Sequence, residues 1–320
     1  MNLTSQELEL AAEHDIRVWL KYYDVKTEDG KLLDFKRHKF LRAPFKDESK
    51  KLVIKKAAQI GFSTLAILKT LWMARHRKLN IIYTLPSFSD VNGFVGGKVN
   101  RLIGQNPILQ KYTEDRDTIE QKHVGDSVIY YRGTITQQAA LMVSADLLVI
   151  DEYDRSKHSI VEQYASRLQH SEYRGEWYFS NPSAGGFGVD RHWENSDQKH
   201  WFITCDGCKK EQFLDWPDSI DQERGCYQCK FCYKELSDEE RRMGHWLRKK
   251  GKENAEYSGY WISLLMAPWV SAKDIIKYYR EKPEDYFYNF VLGKEYVGAG
   301  NKLTWEAFAQ NLMGKSRTPN

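Results

Sequence analysis

The sequence predicts an α/β protein: a central, mostly parallel sheet flanked by helices, with a small four-cysteine ribbon attached. Three observations carry this reading. Short apolar strands alternate with helix-length segments between residues 51 and 182. One of those strands, DLLVIDE at 146–152, is apolar on both faces, as a strand covered from both sides requires. All five cysteines crowd into residues 205–232.

The elements follow in order. Residues 5–23 place Leu8, Ala11, Ala12, Ile16, Trp19 and Leu20 at helical spacing, predicting one amphipathic helix that ends near Lys21. KLVIK (51–55) is the first strand, and TLAILKTLWMARHRK (64–78) has the length and pattern of a helix. NIIYTLP (80–86), SVIYY (127–131), DLLVIDE (146–152) and EWYFSNP (176–182) are four further strands, with helical segments near 90–105 and 160–170. After residue 200 the chain becomes short-stranded and turn-rich, in HWFITCDGCKKEQFLDWP and CYQCKFCYKEL. Beyond 238 it turns helical and aromatic again. This organisation divides the chain into an N-terminal helical segment (1–34), a core (35–200), a ribbon insertion (201–237) and a helical, aromatic segment (238–320) packing on the core.

Composition narrows the class. The chain has 320 residues, 41% hydrophobic and 29% charged, enough for one large domain with a small appendage. No apolar run approaches the roughly 18 residues that span a bilayer. The first residues, MNLTSQELELAAEHD, are polar and acidic rather than a secretory signal, so a cytoplasmic location is expected. Net charge is only +4, but it is unevenly spread. Ten basic residues between Lys31 and Lys56 outnumber three acidic ones, and RRMGHWLRKK (241–250) is a second basic cluster. Such runs are often plain solvated faces; beside a phosphate loop they fit a polyanion equally well.

The stretch KKAAQIGFST (55–64) is the candidate loop. Against the pattern G-x-x-x-x-G-K-[ST], Gly61 and Ser63 fall in place, Phe62 stands where the lysine belongs, and Lys56 stands at the first glycine. A phosphate loop needs converging backbone N–H groups at a helix start, a small residue, a hydroxyl for Mg²⁺ and a cation. Gly61, Ser63 (with Thr64 as its neighbouring substitute) and Lys56 supply the last three, the lysine entering from the loop's other end. A strand, a lysine, a glycine and a serine before a helix also occur by chance. The second motif adds weight. In ATPases of this kind a buried strand delivers an Asp to the Mg²⁺ shell and a Glu to the attacking water, and LLVIDE offers Asp151 and Glu152. Neighbours on a strand point to opposite faces, so both can serve only if the strand ends there and the backbone turns. By the same alternation Lys55 should point away from Lys56. Ser180 and Asn181 end another strand, where they form either a proline turn or a γ-phosphate sensor. All these sites lie at carboxyl ends of strands, where open parallel sheets bind ligands.

Cys205-x2-Cys208, 20 residues, then Cys229-x2-Cys232 fits four-thiolate zinc spacing, and Cys226 is left over. Zinc with four thiolates is a closed structural site. Buried free thiols are the plainer alternative.

On these residues the chain resembles the large terminase subunits of tailed phages, specifically the lambda-like GpA group. KAAQIGFS (56–63) is similar to that group's loop K-[SA]-A-[QR]-[VI]-G-[FYK]-S, with its displaced lysine. FSNPS (179–183) resembles the group's coupling motif; FITCDGCKKEQFL and YQCKFCYKEL resemble its cysteine ribbon; GHW, APWVS and FVLGKEY resemble segments that follow it. The likeness runs over roughly residues 35–300. It implies an ASCE-type P-loop ATPase that drives double-stranded viral DNA into a procapsid in the host cell cytoplasm. The implied partners are the portal protein, the small terminase subunit and further copies of the chain, about five in a ring. The implied cofactors are ATP, Mg²⁺ and Zn²⁺. Carried over residue by residue, Lys56, Ala57, Ala58, Gln59, Ile60, Gly61, Phe62, Ser63 and Thr64 form the nucleotide loop. Ser63 and Asp151 hold Mg²⁺, Glu152 acts on the water, and Ser180 and Asn181 lie near the γ-phosphate.

Two departures stand out. QQAALMVSAD (137–146), before the acidic strand, lacks the arginine the group often carries there, which leaves Arg132, Arg155, Arg167 or Arg174 as a trans-acting finger. The chain also ends about 25 residues after VLGKEY without a two-metal nuclease cluster, so it is expected to be the motor part alone. The base is expected near DFKRHKFLRAPF (34–45), stacked on Phe40 or Arg42. The competing readings are a helicase-like ATPase and a non-hydrolysing zinc-ribbon nucleic-acid-binding module.

Overall fold

Six strands from the first 180 residues build most of one sheet: β1 (Lys51–Lys56), β2 (Ile81–Leu85), β3 (Gln121–Val124), β4 (Ser127–Gly133), β5 (Leu147–Asp151) and β6 (Gly175–Ser180). The structure is a computed structural model and describes residues 4–113, 118–135, 143–296 and 298. Later come β7 (His200–Thr204), β8 (Glu211–Phe213), β9 (Ile220–Asp221), β10 (Cys226–Tyr227), β11 (Gly244–Leu247) and β12 (Ser258–Ile262). The main sheet has seven strands in the order β12-β1-β6-β5-β2-β4-β3. Every neighbouring pair is parallel except β3 and β4. β2 and β5 are buried at every residue, which explains their unbroken apolar runs.

The expected parallel α/β architecture is therefore present, and β6 separates the loop strand β1 from the acidic strand β5. Two strands of this sheet were not anticipated. β12, SGYWI, lies within the segment read as helical and aromatic, yet it pairs with β1 from Leu52–Ser258 to Lys56–Ile262. β3 pairs with β4 as a hairpin across Gly125 and Asp126. GHWL, also beyond 238, is strand β11 rather than helix.

The expected single helix over 5–23 is two. Asp15 ends Ser5–His14 by donating its N–H to the Ala11 carbonyl, and its carboxylate then accepts the Arg17 N–H to start Ile16–Tyr22. The helix after β1 runs Phe62–His76, two residues earlier than the periodicity suggested at each end. It is buried over nearly its whole length. The indole of Trp72 donates to the Ala12 carbonyl at 3.0 Å, tying the N-terminal helices onto it.

β7 pairs with both β8 and β11 in a three-stranded sheet, and β9 and β10 form a short hairpin; these carry the cysteine knuckles. Arg241 joins this ribbon to the rest. Its side chain is almost fully buried, lies over the Tyr227 ring and donates to the carbonyls of Leu265, Ala267 and Val270. Among the described residues no helix is long and apolar enough to cross a membrane.

Candidate functional site: phosphate loop, acidic turn and cysteine cluster

The loop 57–61 connects β1 to the helix Phe62–His76. Gln59 and Gly61 turn it through the left-handed region, at φ 57° and 79°. A Cβ at Gly61 would meet open space, so backbone conformation rather than crowding calls for glycine there. The N–H groups of Ala57 and Ala58 are taken by the carbonyls of Ile262 and Phe290, at 2.7 and 2.8 Å. Among the described residues, the N–H groups of Gln59, Ile60, Gly61, Phe62 and Ser63 have no hydrogen-bond partner. Successive unpaired amides at a helix start form an anion-binding concavity. The Phe62 side chain is buried and meets Phe179 edge-on at 4.8 Å, so only its backbone faces the loop.

β5 ends at Asp151, and Glu152 adopts a left-handed conformation at φ 57° and ψ 44°. This is the turn that lets both carboxylates leave the strand on useful sides. Lys56 is buried, and its Nζ lies 3.7 Å from Glu152 Oε1. Asp151 is buried as well; Oδ1 accepts the Glu152 N–H at 3.1 Å and Oδ2 accepts the Tyr83 hydroxyl at 2.8 Å. Burial first, then the Asp151 charge, holds the Tyr83 phenol well above its usual pKa, so it stays a donor.

Lys55 points the other way, as strand alternation requires. It is buried against Asp190 at 2.5 Å and also pairs with Glu295. Asn181 Nδ2 donates to the Lys56 carbonyl at 2.8 Å, pinning the end of β6 to the start of the loop. Ser180 Oγ accepts the Asp154 N–H at 3.1 Å. Asp154 accepts from Ser183 and from the Val189 N–H, which ties the acidic turn to the segment after β6. Burial raises its pKa, partly offset by those donors.

Several of these contacts lay beyond sequence reasoning. Tyr83 is one apolar-patterned strand residue among others and carries no motif. The segment Phe290–Glu295 was matched only by resemblance, yet it packs directly on the loop. A Cβ on Gly293 (φ 63°) would fall 2.7 Å from the Ala57 nitrogen, so this close approach needs glycine.

A cavity of about 350 Å³ opens beside Gly61 and Thr64. Phe35, Arg37, His38, Leu41 and Leu65 line it, together with Glu28, whose carboxylate accepts the Thr64 hydroxyl at 3.0 Å. Neither residue expected to stack on a base lines this cavity. Phe40 is buried in the core beside Trp269, and Arg42 borders a different hollow with Leu20 and Lys21.

Of the candidate arginines, Arg132 and Arg174 spend their guanidinium groups on carbonyls of their own chain. Arg155 is exposed just past the acidic turn. Most of the stretch QQAALMVSAD, residues 137–142, lies outside the described residues.

The four thiols of Cys205, Cys208, Cys229 and Cys232 lie within 4.8 Å of one another. Cys205–Cys232 and Cys208–Cys229 are each 3.7 Å apart between sulfurs. A tetrahedron with metal–sulfur bonds of about 2.3 Å has edges of about 3.8 Å, so the cluster has the right size for one ion. Cys226 stands outside it. Burial opposes ionisation of Cys229, but the N–H groups of Phe231 and Cys232, with Gln212 and Cys208, lower its pKa; the Lys234 N–H favours the Cys232 thiolate, yet burial and the three neighbouring thiols raise the Cys232 pKa, so the cluster shares its charge unevenly.

Comparison with known proteins agrees with this fold. No curated protein sequence matches the chain. The chain is similar to the solved large terminase ATPase domain of Thermus phage P74-26, at 11% identity and a TM-score of 0.52, over 86% of this chain and 97% of that one. A point variant of that domain matches with 12% identity and a TM-score of 0.52, over 86% and 98%. At such identities these likenesses speak to the fold alone. The family model for the ATPase domain of the phage terminase large subunit gpA matches residues 39–251, well over half the chain. The chain belongs to this family, as the ATPase domain of a gpA-type phage terminase large subunit.

Proposed function

We propose that the chain hydrolyses ATP to move double-stranded DNA into a viral procapsid. The observation that carries this is the approach of Lys56 to Glu152, which brings the loop's cation and the acidic turn to one point across β6. The unpaired amides of residues 59–63 cradle the phosphates, and Lys56 crosses them from the loop's first position. Ala57 and Ala58 shape the base of the loop through their bonds to Ile262 and Phe290. Ser63, with Thr64 beside it, and Asp151 would hold Mg²⁺, which when bound neutralises charge on the β- and γ-oxygens. Glu152 orients the attacking water and takes its proton. Its contact with Lys56 is a resting contact: arriving phosphate draws the lysine away and frees the carboxylate. Asn181 and Ser180 tie the end of β6 to Lys56 and to Asp154, so a change at the γ-phosphate reaches the segment after β6. The cavity lined by Phe35, His38 and Leu41 takes the adenine.

The four thiolates fit zinc, which closes the ribbon as a structural unit. Two basic clusters meet where the Trp246 indole donates to the Phe40 carbonyl at 2.9 Å. Lys36, Arg37, Arg42 and Lys46 of the first cluster and Arg248, Lys249 and Lys250 of the second are exposed. This surface grips DNA phosphates without reading sequence. In the same reading the chain works in the host cytoplasm as a ring of about five copies, with the portal protein and the small terminase subunit.

ATP hydrolysis measured with and without duplex DNA at several salt concentrations tests the proposal. DNA should stimulate turnover, and replacing Arg248, Lys249 and Lys250 by Ala should flatten the salt dependence of DNA binding by about one unit per lost phosphate contact. Absence of hydrolysis with DNA and both packaging partners present would favour a non-hydrolysing binding module.

A further inference from the structure

We propose that Tyr83 is the positioning residue for the metal-binding carboxylate of Asp151. This rests on the reading of Asp151 as a Mg²⁺ ligand.

The placement follows from sheet register. Tyr83 on β2 pairs with Val149 on β5. Asp151 stands two residues beyond Val149, on the same face of the strand. A phenol is long enough to run from β2 to that carboxylate, and the hydroxyl reaches Oδ2 at 2.8 Å. The ring has little freedom: it is fully buried, stacks on Phe94 at 5.2 Å and lies against Tyr131 at 5.6 Å. The other carboxylate oxygen, Oδ1, accepts the Glu152 N–H. One rigid donor therefore holds each oxygen of Asp151. A carboxylate has about four lone-pair sites. Two are used here, and the rest are aimed by the two donors.

A second tyrosine sharpens the point. Tyr131 is equally buried and touches Tyr83, but its hydroxyl has no hydrogen-bond partner among the described residues. Removing that hydroxyl changes the same aromatic cluster without touching Asp151. A purely structural role for Tyr83 would make the two tyrosines behave alike. A positioning role separates them, because groups that orient a metal ligand typically change metal affinity or activity by about 10–100-fold.

The experiment is a Mn²⁺ titration followed by electron paramagnetic resonance, with a non-hydrolysable ATP analogue bound. Mg²⁺ dependence of ATP hydrolysis is measured alongside. Wild type, Tyr83→Phe, Tyr131→Phe and Asp151→Asn are compared. Tyr83→Phe should weaken Mn²⁺ binding by about 10-fold or more and raise the Mg²⁺ needed for half-maximal rate. Tyr131→Phe should match wild type, and Asp151→Asn should lose the ion. If Asp151→Asn binds Mn²⁺ like wild type, Asp151 is not a ligand, and both readings fall. If Asp151→Asn loses the ion while Tyr83→Phe binds it like wild type, the positioning role alone is overturned. Should Tyr83→Phe fail to fold, 3,5-difluorotyrosine at position 83 keeps the ring contacts and acidifies only the hydroxyl. It should shift Mn²⁺ affinity, and unchanged affinity overturns the proposal.

Discussion

In the sheet, Lys56 and Glu152 come within 3.7 Å from strands that are not neighbours, brought together by topology and a continuous buried core. In the ribbon, four sulfurs within 4.8 Å come from two knuckles of four residues each, carried by strands of two to five residues. The sheet can place its site without any ligand, because apolar burial fixes β1, β5 and β6. The two knuckles, 205–208 and 229–232, bury no side chain besides Cys205 and Cys229, so their shape depends on what holds the thiols. Damage should therefore look different in the two regions: lost chemistry on an intact fold in one, lost local structure in the other.

The largest effect is expected at the acidic turn. Glu152→Gln keeps shape and removes the base. Turnover should fall by on the order of 10²-fold or more while ATP still binds nearly as well, as seen by single-turnover kinetics beside equilibrium binding. An equal loss of binding would mean that Glu152 supports the loop rather than the chemistry.

The ribbon answers to its thiols. The purified protein should carry about one zinc ion per chain. Cys229→Ser should lose it and expose ribbon amides to hydrogen exchange, whereas Cys226→Ser should keep it. The opposite pattern of metal content would mean a different ligand set.

These two regions were also unequally legible in sequence. The knuckles are local, so spacing alone named all four thiols and left out Cys226. The strands β1, β2, β4, β5 and β6 were readable because each is a short apolar run between turn residues. The displaced lysine was found through its loop, and its partner Glu152 through the acidic end of β5. β12 was missed because five residues rich in aromatics cannot be told from a buried helix by periodicity. The break at Asp15 was missed because apolar spacing continues through it, and only the capping role of the carboxylate reveals the join. The bonds from Ile262 and Phe290 to the loop, and from Tyr83 to Asp151, join residues distant in sequence through the tertiary fold. No local pattern encodes them.

A smaller effect separates the sheet from the ribbon in acid. His192 stacks on Tyr178 at 3.9 Å, and burial, helped by Arg191 and His158, lowers its pKa to about 4. Its folded pKa lies below the ordinary value of about 6.5. The stability linked to its neutral form is thus complete above about 6.5 and is lost as pH falls toward 4. His192→Phe should flatten the fall in melting temperature between pH 6.5 and 4 without changing zinc content at pH 7. An unchanged acid slope would assign the proton uptake elsewhere, His76 being the next candidate, since burial lowers it to about 4 as well.

The central claim is that the phosphate lysine is Lys56, at the first position of the loop. ATP binding and hydrolysis by Lys56→Ala and Lys55→Ala, each corrected for its folded fraction, test it most directly. Lys55→Ala leaves Asp190 buried and unpaired, which should cost about 3–5 kcal/mol of stability but leave the folded molecules active. Phe62→Lys, which restores the common pattern on paper, should bury a charge against Phe179 and raise neither binding nor rate. Lys56→Ala should weaken ATP binding and slow hydrolysis together. Normal hydrolysis by Lys56→Ala, with loss in folded Lys55→Ala, would contradict the account and move the phosphate lysine one residue back.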